Sequence, residues 1–392
     1  LDDKTECVGI YTDNKLYFDE ESFPENLEAT WKYAPYLRDY DIEYASCYLE
    51  GKTLKDVIPE YLQDDWEDVS SKILSFKRSL SISKVDTSEN CFFDLVPQRF
   101  LIDFCEIKNK ITKHVLKNIK KPKRYEFYKH VSMLLTDISN RSVNVDYRFL
   151  NSLKDDQKLK SHIKNIIESS RTVNYNQFGT RTGRLTTQKK ALPILTINNT
   201  LKGAIKPQND FYLEIDFNGA EVRTLLGLLG KEQPNVDVHQ FHLDNIFTSL
   251  TSRSEAKVAF FAWLYGSRTA QAASTGRDLE KFYDKNSILE KHWIDQTVTT
   301  PFGKQMKDVD QHHALNYLVQ STAAELTLKQ SLKLDHVLRT QSSGSFLAFI
   351  IHDSVIVDMK KEDSHLIKIL CYLMKSTNFG DFKINTKKGD SL

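Results

Sequence analysis

Asp216 closes an apolar run, Leu213-Glu214-Ile215-Asp216-Phe217, and Asp353 follows a second one, Phe349-Ile350-Ile351-His352. Carboxylates at the ends of two strands suit a shared site for divalent cations. Hard oxygen ligands can hold ions that lower the pKa of an attacking hydroxyl and neutralise a leaving oxygen. Taken singly, an aspartate in such a place is more often a turn or cap residue. A second constellation has Arg253, Lys257, Phe261 and Tyr265 four residues apart, so two cations and two aromatics project from one helix face. An amphipathic helix with an exposed basic end and a buried aromatic end explains that pattern. So does a triphosphate held by Arg253 and Lys257, with Phe261 and Tyr265 shaping a pocket for sugar and base. Gly266 permits the turn that ends the helix.

The same spacing recurs in polar form at His312, Asn316 and Gln320, followed by Ser321-Thr322-Ala323-Ala324-Glu325. Solvent would satisfy such a face, and so would base edges in a minor groove, where acceptors are sequence-degenerate. The segment Gln177 to Thr186 offers hydroxyls, glycines and two arginines, Arg181 and Arg184, in a loop able to approach a backbone closely. Gly, Thr and Arg are also common in ordinary surface loops.

These side chains need elements to position them. Phe211 to Phe217 alternates as a strand, Gly219 to Leu229 has helical periodicity, and Phe346 to Val357 reads as two short strands around His352-Asp353-Ser354. Near the start, Val8 to Tyr11 and Lys15 to Phe18 flank Asp13-Asn14 as a hairpin. From Leu101 to about Ile119 the pattern is helical, with Ile107, Ile111, Val115 and Ile119 on one stripe. Around it stand Lys108, Lys110, Lys113, Lys117, Lys120, Lys121, Lys123 and Arg124, with no acid between Ile107 and Tyr125. That row is either a solvated face or a phosphate-tracking one. Pro122 ends the helix, and a further apolar-periodic run leads from Tyr125 through Leu135. Strands and helices mix without regular β-α alternation, which predicts an α+β fold rather than a doubly wound sheet.

Composition sets the bounds. At 392 residues the chain has room for two or three domains, and 40% apolar with 27% charged residues, 14 Gly and 9 Pro excludes disordered and collagen-like classes. The longest strongly apolar stretch, Phe346 to Ile351, is far below the roughly 20 residues of a membrane span, and no charged-then-apolar leader opens the chain, so no membrane or export reading is justified. The first residue is Leu1 rather than Met, which leaves room for a preceding segment. Cys7, Cys47, Cys91, Cys105 and Cys371 are scattered, odd in number and without zinc-ligand spacing, and a reducing compartment is the simplest reading. A formal net charge of +1 conceals an asymmetry. Residues 1–70 carry 19 acidic and 6 basic side chains, a net of −13 that leaves +14 on the remainder. A basic body can hold a polyanion, and an acidic segment is repelled by one.

In this order the segments resemble the polymerase module of family A DNA polymerases, the group of bacterial DNA polymerase I and many phage replicases, over a region from about Tyr125 to about Asp358. Thr182-Gly183-Arg184-Leu185 is similar to the family's primer-binding motif, Asp216 to Arg223 to motif A, Arg253 to Gly266 to motif B and Ile351-His352-Asp353 to motif C. Asp237-Val238-His239 resembles the segment opening the fingers, and Asn316 with Gln320 the helix that tracks the minor groove. The resemblance implies a right-hand fold: a palm with an antiparallel sheet, helical fingers, a reduced thumb and a small N-terminal segment. It implies the boundaries 1–106 for an acidic segment (a degenerate exonuclease remnant or docking domain), 107–210 for thumb and primer-binding region, 211–235 for palm with motif A, 236–300 for fingers and 301–392 for palm with motif C.

The implied activity is extension of a DNA primer on a template with dNTPs. Asp216, Asp353 and the Phe217 carbonyl would bind two Mg²⁺ ions. His239, Arg253 and Lys257 would contact the incoming phosphates, with Lys257 as proton donor to pyrophosphate. Tyr265 would lie beside the insertion site, while Thr182, Arg184, Asn316, Gln320 and His352 would touch primer or template. A bulky Glu221 beside the sugar argues for deoxynucleotides, and Phe261, lacking a tyrosine hydroxyl, predicts discrimination against dideoxynucleotides. A single-subunit RNA polymerase of the same fold and an inactive DNA-binding replication subunit are the alternatives. Partners would be primer-template DNA, dNTPs and a processivity or accessory protein, with no membrane, in the cytoplasm of a bacterial cell or phage-infected host.

Three departures from the family pattern stand out. Ser354 replaces the second acid of motif C, His312 stands where an arginine is common, and only about 37 residues separate Asp146 from Gly183, which predicts a short thumb. The basic helix, or a partner, would then supply the missing DNA grip. Asp19-Glu20-Glu21, Asp41-Ile42-Glu43 and the Tyr61/Asp65 pair match fragments of a proofreading exonuclease pattern, but at spacing too compressed for that domain, and such matches are expected by chance in so acidic a segment.

Overall fold

The computed structural model describes residues 10–12, 15–17, 27–85, 95–266 and 270–392. The chain divides into two compact units, Leu1–Ser142 with Thr172–Tyr175, and Val143–Arg171 with Asn176–Leu392.

In the first unit the apolar stripes expected of the basic helix are realised. Helices α1 (Gln63–Ile82) and α2 (Gln98–Asn118) bury Val69 and Ile73 with Phe100, Leu101, Phe104, Ile107 and Ile111, and Trp31 closes this core. The first unit runs on past the boundary expected near residue 106, which would cut through the continuous helix α2. Part of the cationic row is engaged within its own unit, by ring faces or by acids. The Lys108 ammonium lies 5.1 Å from the Trp66 ring centroid and 5.5 Å from that of Trp31. Lys110 pairs with Glu106 at 2.9 Å, and Lys121 with Glu43 at 2.6 Å. Lys113, Lys117, Lys120 and Lys123 remain exposed. Helix α3 (Tyr125–Ser139) buries Tyr125, whose hydroxyl accepts a hydrogen bond from the Tyr44 amide at 3.2 Å. The expected hairpin pairs Ile10–Thr12 with Lys15–Tyr17 antiparallel, while its Asp13-Asn14 turn, Cys7, Cys91 and the Asp19-Glu20-Glu21 match lie outside the described residues. Glu43 is held by Lys121, and Tyr61 and Asp65 are exposed.

The second unit is built on a four-stranded sheet. Strands β1 (Phe211–Phe217), β2 (Phe346–Ile351), β3 (Ser354–Met359) and β4 (Ile384–Gly389) lie in the order β2-β3-β1-β4, each antiparallel to its neighbour. The central strand β3 is buried at every position, as its near-continuous apolar run requires, and β4 is an exposed edge carrying Lys387 and Lys388. Helices α4 (Ala220–Leu228), α5 (Val238–Asn245), α6 (Arg253–Leu264), α7 (Ala270–Phe282) and α8 (Lys285–His292) follow β1. A 31-residue helix, α9 (Gln311–Gln341), leads back to β2. Val222, Leu225, Val238, Phe260, Tyr283, Leu315 and Val319 from these elements share one core. Helix α9 is buried on most of its surface, and its Thr322, Thr327 and Ser331 hydroxyls each donate to the carbonyl four residues earlier at 2.7 to 3.1 Å, so they enter the core without losing hydrogen bonds. Helix α10 (Ile367–Lys375) precedes the edge strand β4. Among the described residues no helix is long and apolar enough to cross a membrane.

Candidate active site

The register of the sheet brings the two aspartates together. Asp216, near the end of β1, pairs across the sheet with Ser354, the first residue of β3, and Asp353 immediately precedes it in the two-residue connection from β2. The Phe217 amide donates to the Asp353 carbonyl at 3.4 Å, tying the two strand ends to each other. His352 takes φ 55, a left-handed value that histidine adopts more readily than most side chains, and so makes the tight turn that places Asp353. Burial, and then the charge of Asp353, push the Asp216 carboxyl up to about 7. Burial likewise raises Asp353, against lowering contributions that include a hydrogen bond from the Ala220 amide at the start of α4.

That helix start depends on a glycine. Gly219 has φ 73, and a Cβ there would lie 2.4 Å from Val238 Cγ1. Arg223 of α4 is fully buried and braces the neighbouring turn. Its guanidinium donates to the Asn218 carbonyl at 2.7 Å and to the Pro234 and Val236 carbonyls at 2.9 Å. The turn so held carries Asp237, which caps α5 by accepting from the His239 and Gln240 amides at 3.0 Å. Asp237 also receives Arg253 through two bonds, Nε to Oδ1 at 2.8 Å and Nη2 to Oδ2 at 2.7 Å. Burial alone would raise the Asp237 carboxyl, but Arg253, Asn218 and the α5 amides together hold it well below the usual carboxylate range.

A cavity of about 420 Å³ is lined by Asp216, Asp353, Arg184, Glu221, His239, Arg253, Lys257, Phe261, Tyr265, His352 and the backbone around Phe217. Phe261 and Tyr265 stack with centroids 5.7 Å apart and planes inclined by 21°, as their one-turn spacing on α6 allows. The Phe217 side chain is core, edge-on to Phe382, so only its backbone is available to the cavity. Glu221 is buried, paired with Arg184, and accepts from the Tyr265 hydroxyl at 3.4 Å. Burial raises its carboxyl, and Arg184 opposes that rise. Burial pushes His239 down to about 4, so its imidazole is neutral at pH 7. Three of the expected residues, Thr182, Asn316 and Gln320, lie outside this lining. Gln320 still reaches the Tyr265 side chain, whereas the buried Asn316 Oδ1 has no hydrogen-bond partner among the described residues. His312 packs its ring against Gly266.

The structure adds residues that sequence reasoning did not select. Asn385 of β4 is paired opposite Asp216 and donates to its Oδ2 at 3.4 Å. Leu195, Ala323, Ala324, Thr327 and Leu328 complete the cavity wall. Among the described residues no group of three or more His, Cys, Asp and Glu side chains is gathered to hold a metal. The donor set at the strand ends is instead two mutually repelling carboxylates with backbone oxygens beside them. Its all-oxygen chemistry and surplus negative charge fit a hard divalent cation.

No family model matches the chain. It is similar to DNA polymerase I of Chloroflexus aurantiacus, with 24% identity over 233 residues covering 48% of this chain and 25% of that protein. It is also similar to DNA polymerase I of Aquifex aeolicus, with 22% identity over 271 residues covering 59% of this chain and 46% of that protein. The chain therefore spans less than half the length of either relative. Its fold resembles the POL domain of Pol1 from M. smegmatis, solved in complex with DNA primer-template and dNTP, with a TM-score of 0.60, 12% identity and 75% of each chain covered. The fold is the α+β right-hand fold of a polymerase domain, and the sequence is similar to DNA polymerase I over about half of the chain.

Proposed function

We propose that this chain extends a DNA primer on a template with dNTPs. The observation that carries the reading is the convergence of Asp216 and Asp353 in the lining of one cavity that Arg253 and Lys257 of α6 also line. Two acids and two cations lining one cavity suit phosphoryl transfer, in which positioning and charge stabilisation do most of the catalytic work. On this reading the four-stranded sheet with α9 is the palm and α5 to α8 are the fingers.

Asp216, Asp353 and the Phe217 carbonyl would hold two Mg²⁺ ions, which when bound make the primer 3′-hydroxyl easier to deprotonate and offset charge on the leaving pyrophosphate. The protein's own groups do the rest. Arg253 and Lys257 bind the triphosphate, and the Lys257 ammonium holds the proton that pyrophosphate takes as it leaves. His239, neutral and buried beside Phe261 at a ring distance of 6.0 Å, offers the phosphates a hydrogen bond rather than a charge. Tyr265 and Phe261 form a flat wall for the base pair, and Glu221, fixed by Arg184, fills the space a ribose 2′-hydroxyl would need. Thr182, Arg184, Asn316, Gln320 and His352 would touch primer or template. The exposed lysines of α2 would add phosphate grip, with an accessory protein as a second source, because neutralised phosphates dominate nonspecific affinity. The setting is the cytoplasm of a bacterial or phage-infected cell.

Primer extension tests the proposal. The protein should add dNTPs, and not rNTPs, to a primer annealed to a template, and Asp353→Ala should abolish extension while leaving primer-template binding measurable. Extension by neither protein, or equal extension by both, overturns it.

A further inference from the structure

Asp237 is anchored on its own side by three donors: the His239 and Gln240 amides at 3.0 Å and the Asn218 amide group at 2.8 Å. Asn218 is fixed in turn, since its Oδ1 accepts from the Val238 amide at 3.0 Å and from the buried Arg223 at 3.2 Å. The carboxylate therefore cannot move without dismantling the start of α5. Arg253 is placed differently. It is the first residue of α6, its side chain is about half exposed, and a guanidinium on a flexible stem can swing away from a partner that cannot. Both bonds it makes to Asp237 use the fork that would otherwise grip a phosphate, and Arg253 and Lys257 line the same cavity one helical turn apart.

We infer that Asp237 is an internal competitor for the anionic substrate: it occupies the Arg253 fork in the free protein, and a polyphosphate must displace it to bind. The inference rests on the proposed nucleotide site and adds a specificity determinant to it. An incoming anion must exchange one pair of charge-assisted bonds for another, and the exchange is favourable only for a ligand that also engages Lys257. A chain of three phosphates can span the two cations, and a single phosphate that reaches only Arg253 meets an already satisfied partner. Because the pair is partly exposed to water, it is weak enough to be displaced. The network also links the exchange to the catalytic strand end, since Asn218 follows Asp216 by two residues and hydrogen-bonds Asp237 directly.

The test uses inorganic tripolyphosphate and inorganic phosphate as probes, with calorimetric titration of the parent protein, Asp237→Asn, Arg253→Ala and the double variant. Asn caps a helix as well as Asp does, so Asp237→Asn keeps α5, and Asp237→Ser, also a capping residue, is the second variant should the first fold poorly. The expected result is tripolyphosphate binding about fivefold or more tighter in Asp237→Asn, a smaller preference for tripolyphosphate over phosphate, and loss of that gain when Arg253→Ala is added, as coupled residues require. Tripolyphosphate binding by the parent with no gain in either Asp237 variant, or a gain that persists without Arg253, overturns the inference and leaves the nucleotide site standing. Failure of the parent and all variants to bind tripolyphosphate overturns the polyphosphate site itself, and the inference with it.

Discussion

Asn385 stands directly across the sheet from Asp216, and its amide nitrogen lies 3.4 Å from the Asp216 carboxylate. On the other side of Asp216 the register places Ser354 rather than a second acid. Asp216 is thus flanked by two neutral polar side chains, of which Asn385 is the donor that orients it. Groups hydrogen-bonded to a metal-binding carboxylate commonly change metal affinity by about 10- to 100-fold when removed. On the proposed reading, Asn385→Ala should weaken Mn²⁺ binding about tenfold, read by electron paramagnetic resonance of the free ion, with the thermal midpoint little changed. A Mn²⁺ affinity within twofold of the parent would remove Asn385 from this role.

Asn385 also marks the limit of what the sequence discloses. Strand β1 is plain from Phe211 to Phe217 because its apolar residues alternate, and Phe346 to Ile351 is plain because it is apolar throughout. Strand β4, Ile384-Asn385-Thr386-Lys387-Lys388-Gly389, has no such signal. It becomes a strand only because β1 offers an unpaired edge, a tertiary cause that propensity does not register. The length of α9 was hidden for a related reason. Its polar stripe near His312 is visible, but the helix is buried on several sides, so one apolar face never stands out over its 31 residues. The aspartates, the cationic face of α6 and Glu221 were legible because their types and spacing carry chemistry. The Arg253–Asp237 pair was not, because the turn that carries Asp237, 16 positions before Arg253, takes its course from the buried Arg223.

Gly219 should be the least replaceable glycine of the strand-to-helix turn. At φ 73 any Cβ is strained, and here it would also strike Val238 Cγ1 at 2.4 Å. Gly230 shares the left-handed conformation, with φ 65, but has open space around it. Gly219→Ala should therefore lower stability by about 2 kcal/mol or more, and Gly230→Ala by about 1 kcal/mol, the cost of the backbone conformation alone. Chemical denaturation of the two variants checks the order, and equal losses would mean that the Val238 contact relaxes freely.

His242 predicts a pH dependence of stability. It is fully buried, its Nε2 lies 2.6 Å from the Tyr283 hydroxyl, and burial pushes its pKa down to about 3 from an ordinary value of 6.5. A folded-state pKa below the unfolded one means that the unfolded chain binds the proton more readily between these values. The stabilisation from a neutral His242 is thus complete above pH 6.5 and declines as the pH falls toward 3. His242→Gln, which keeps a hydrogen-bonding side chain without a titrating ring, should flatten the fall in melting temperature between pH 6.5 and 4. Parallel slopes in the two proteins would assign the acid sensitivity to other groups.

The Glu221 carboxylate sits between Arg184 and the Tyr265 hydroxyl, in the cavity where the proposed reading puts the sugar. Glu221→Ala removes the bulk that a 2′-hydroxyl would meet, and should raise ribonucleotide incorporation relative to deoxynucleotide by about tenfold or more, since discrimination by shape alone is worth factors of this order. Arg184→Ala leaves the same carboxylate buried without its cation. Its expected effect is a loss of extension rate without a matching gain in ribonucleotide use. Single-turnover incorporation separates the two outcomes, and equal sugar selectivity in parent and Glu221→Ala would rule out a gate at this position.

Phe261 lines the same cavity, and the proposed reading sets it beside the sugar as well as the base. Its ring stacks on Tyr265 with centroids 5.7 Å apart, so a hydroxyl added at the para position need not disturb the packing of α6. Without that hydroxyl nothing on Phe261 can hydrogen-bond a nucleotide lacking its 3′-oxygen, and the parent should discriminate against dideoxynucleotides. Phe261→Tyr should narrow the deoxy-to-dideoxy ratio by about tenfold or more, consistent with a gained hydrogen bond in a water-poor site. The change should appear in incorporation ratios measured side by side and not in the thermal midpoint. A parent that uses both substrates equally would show that discrimination does not reside at Phe261.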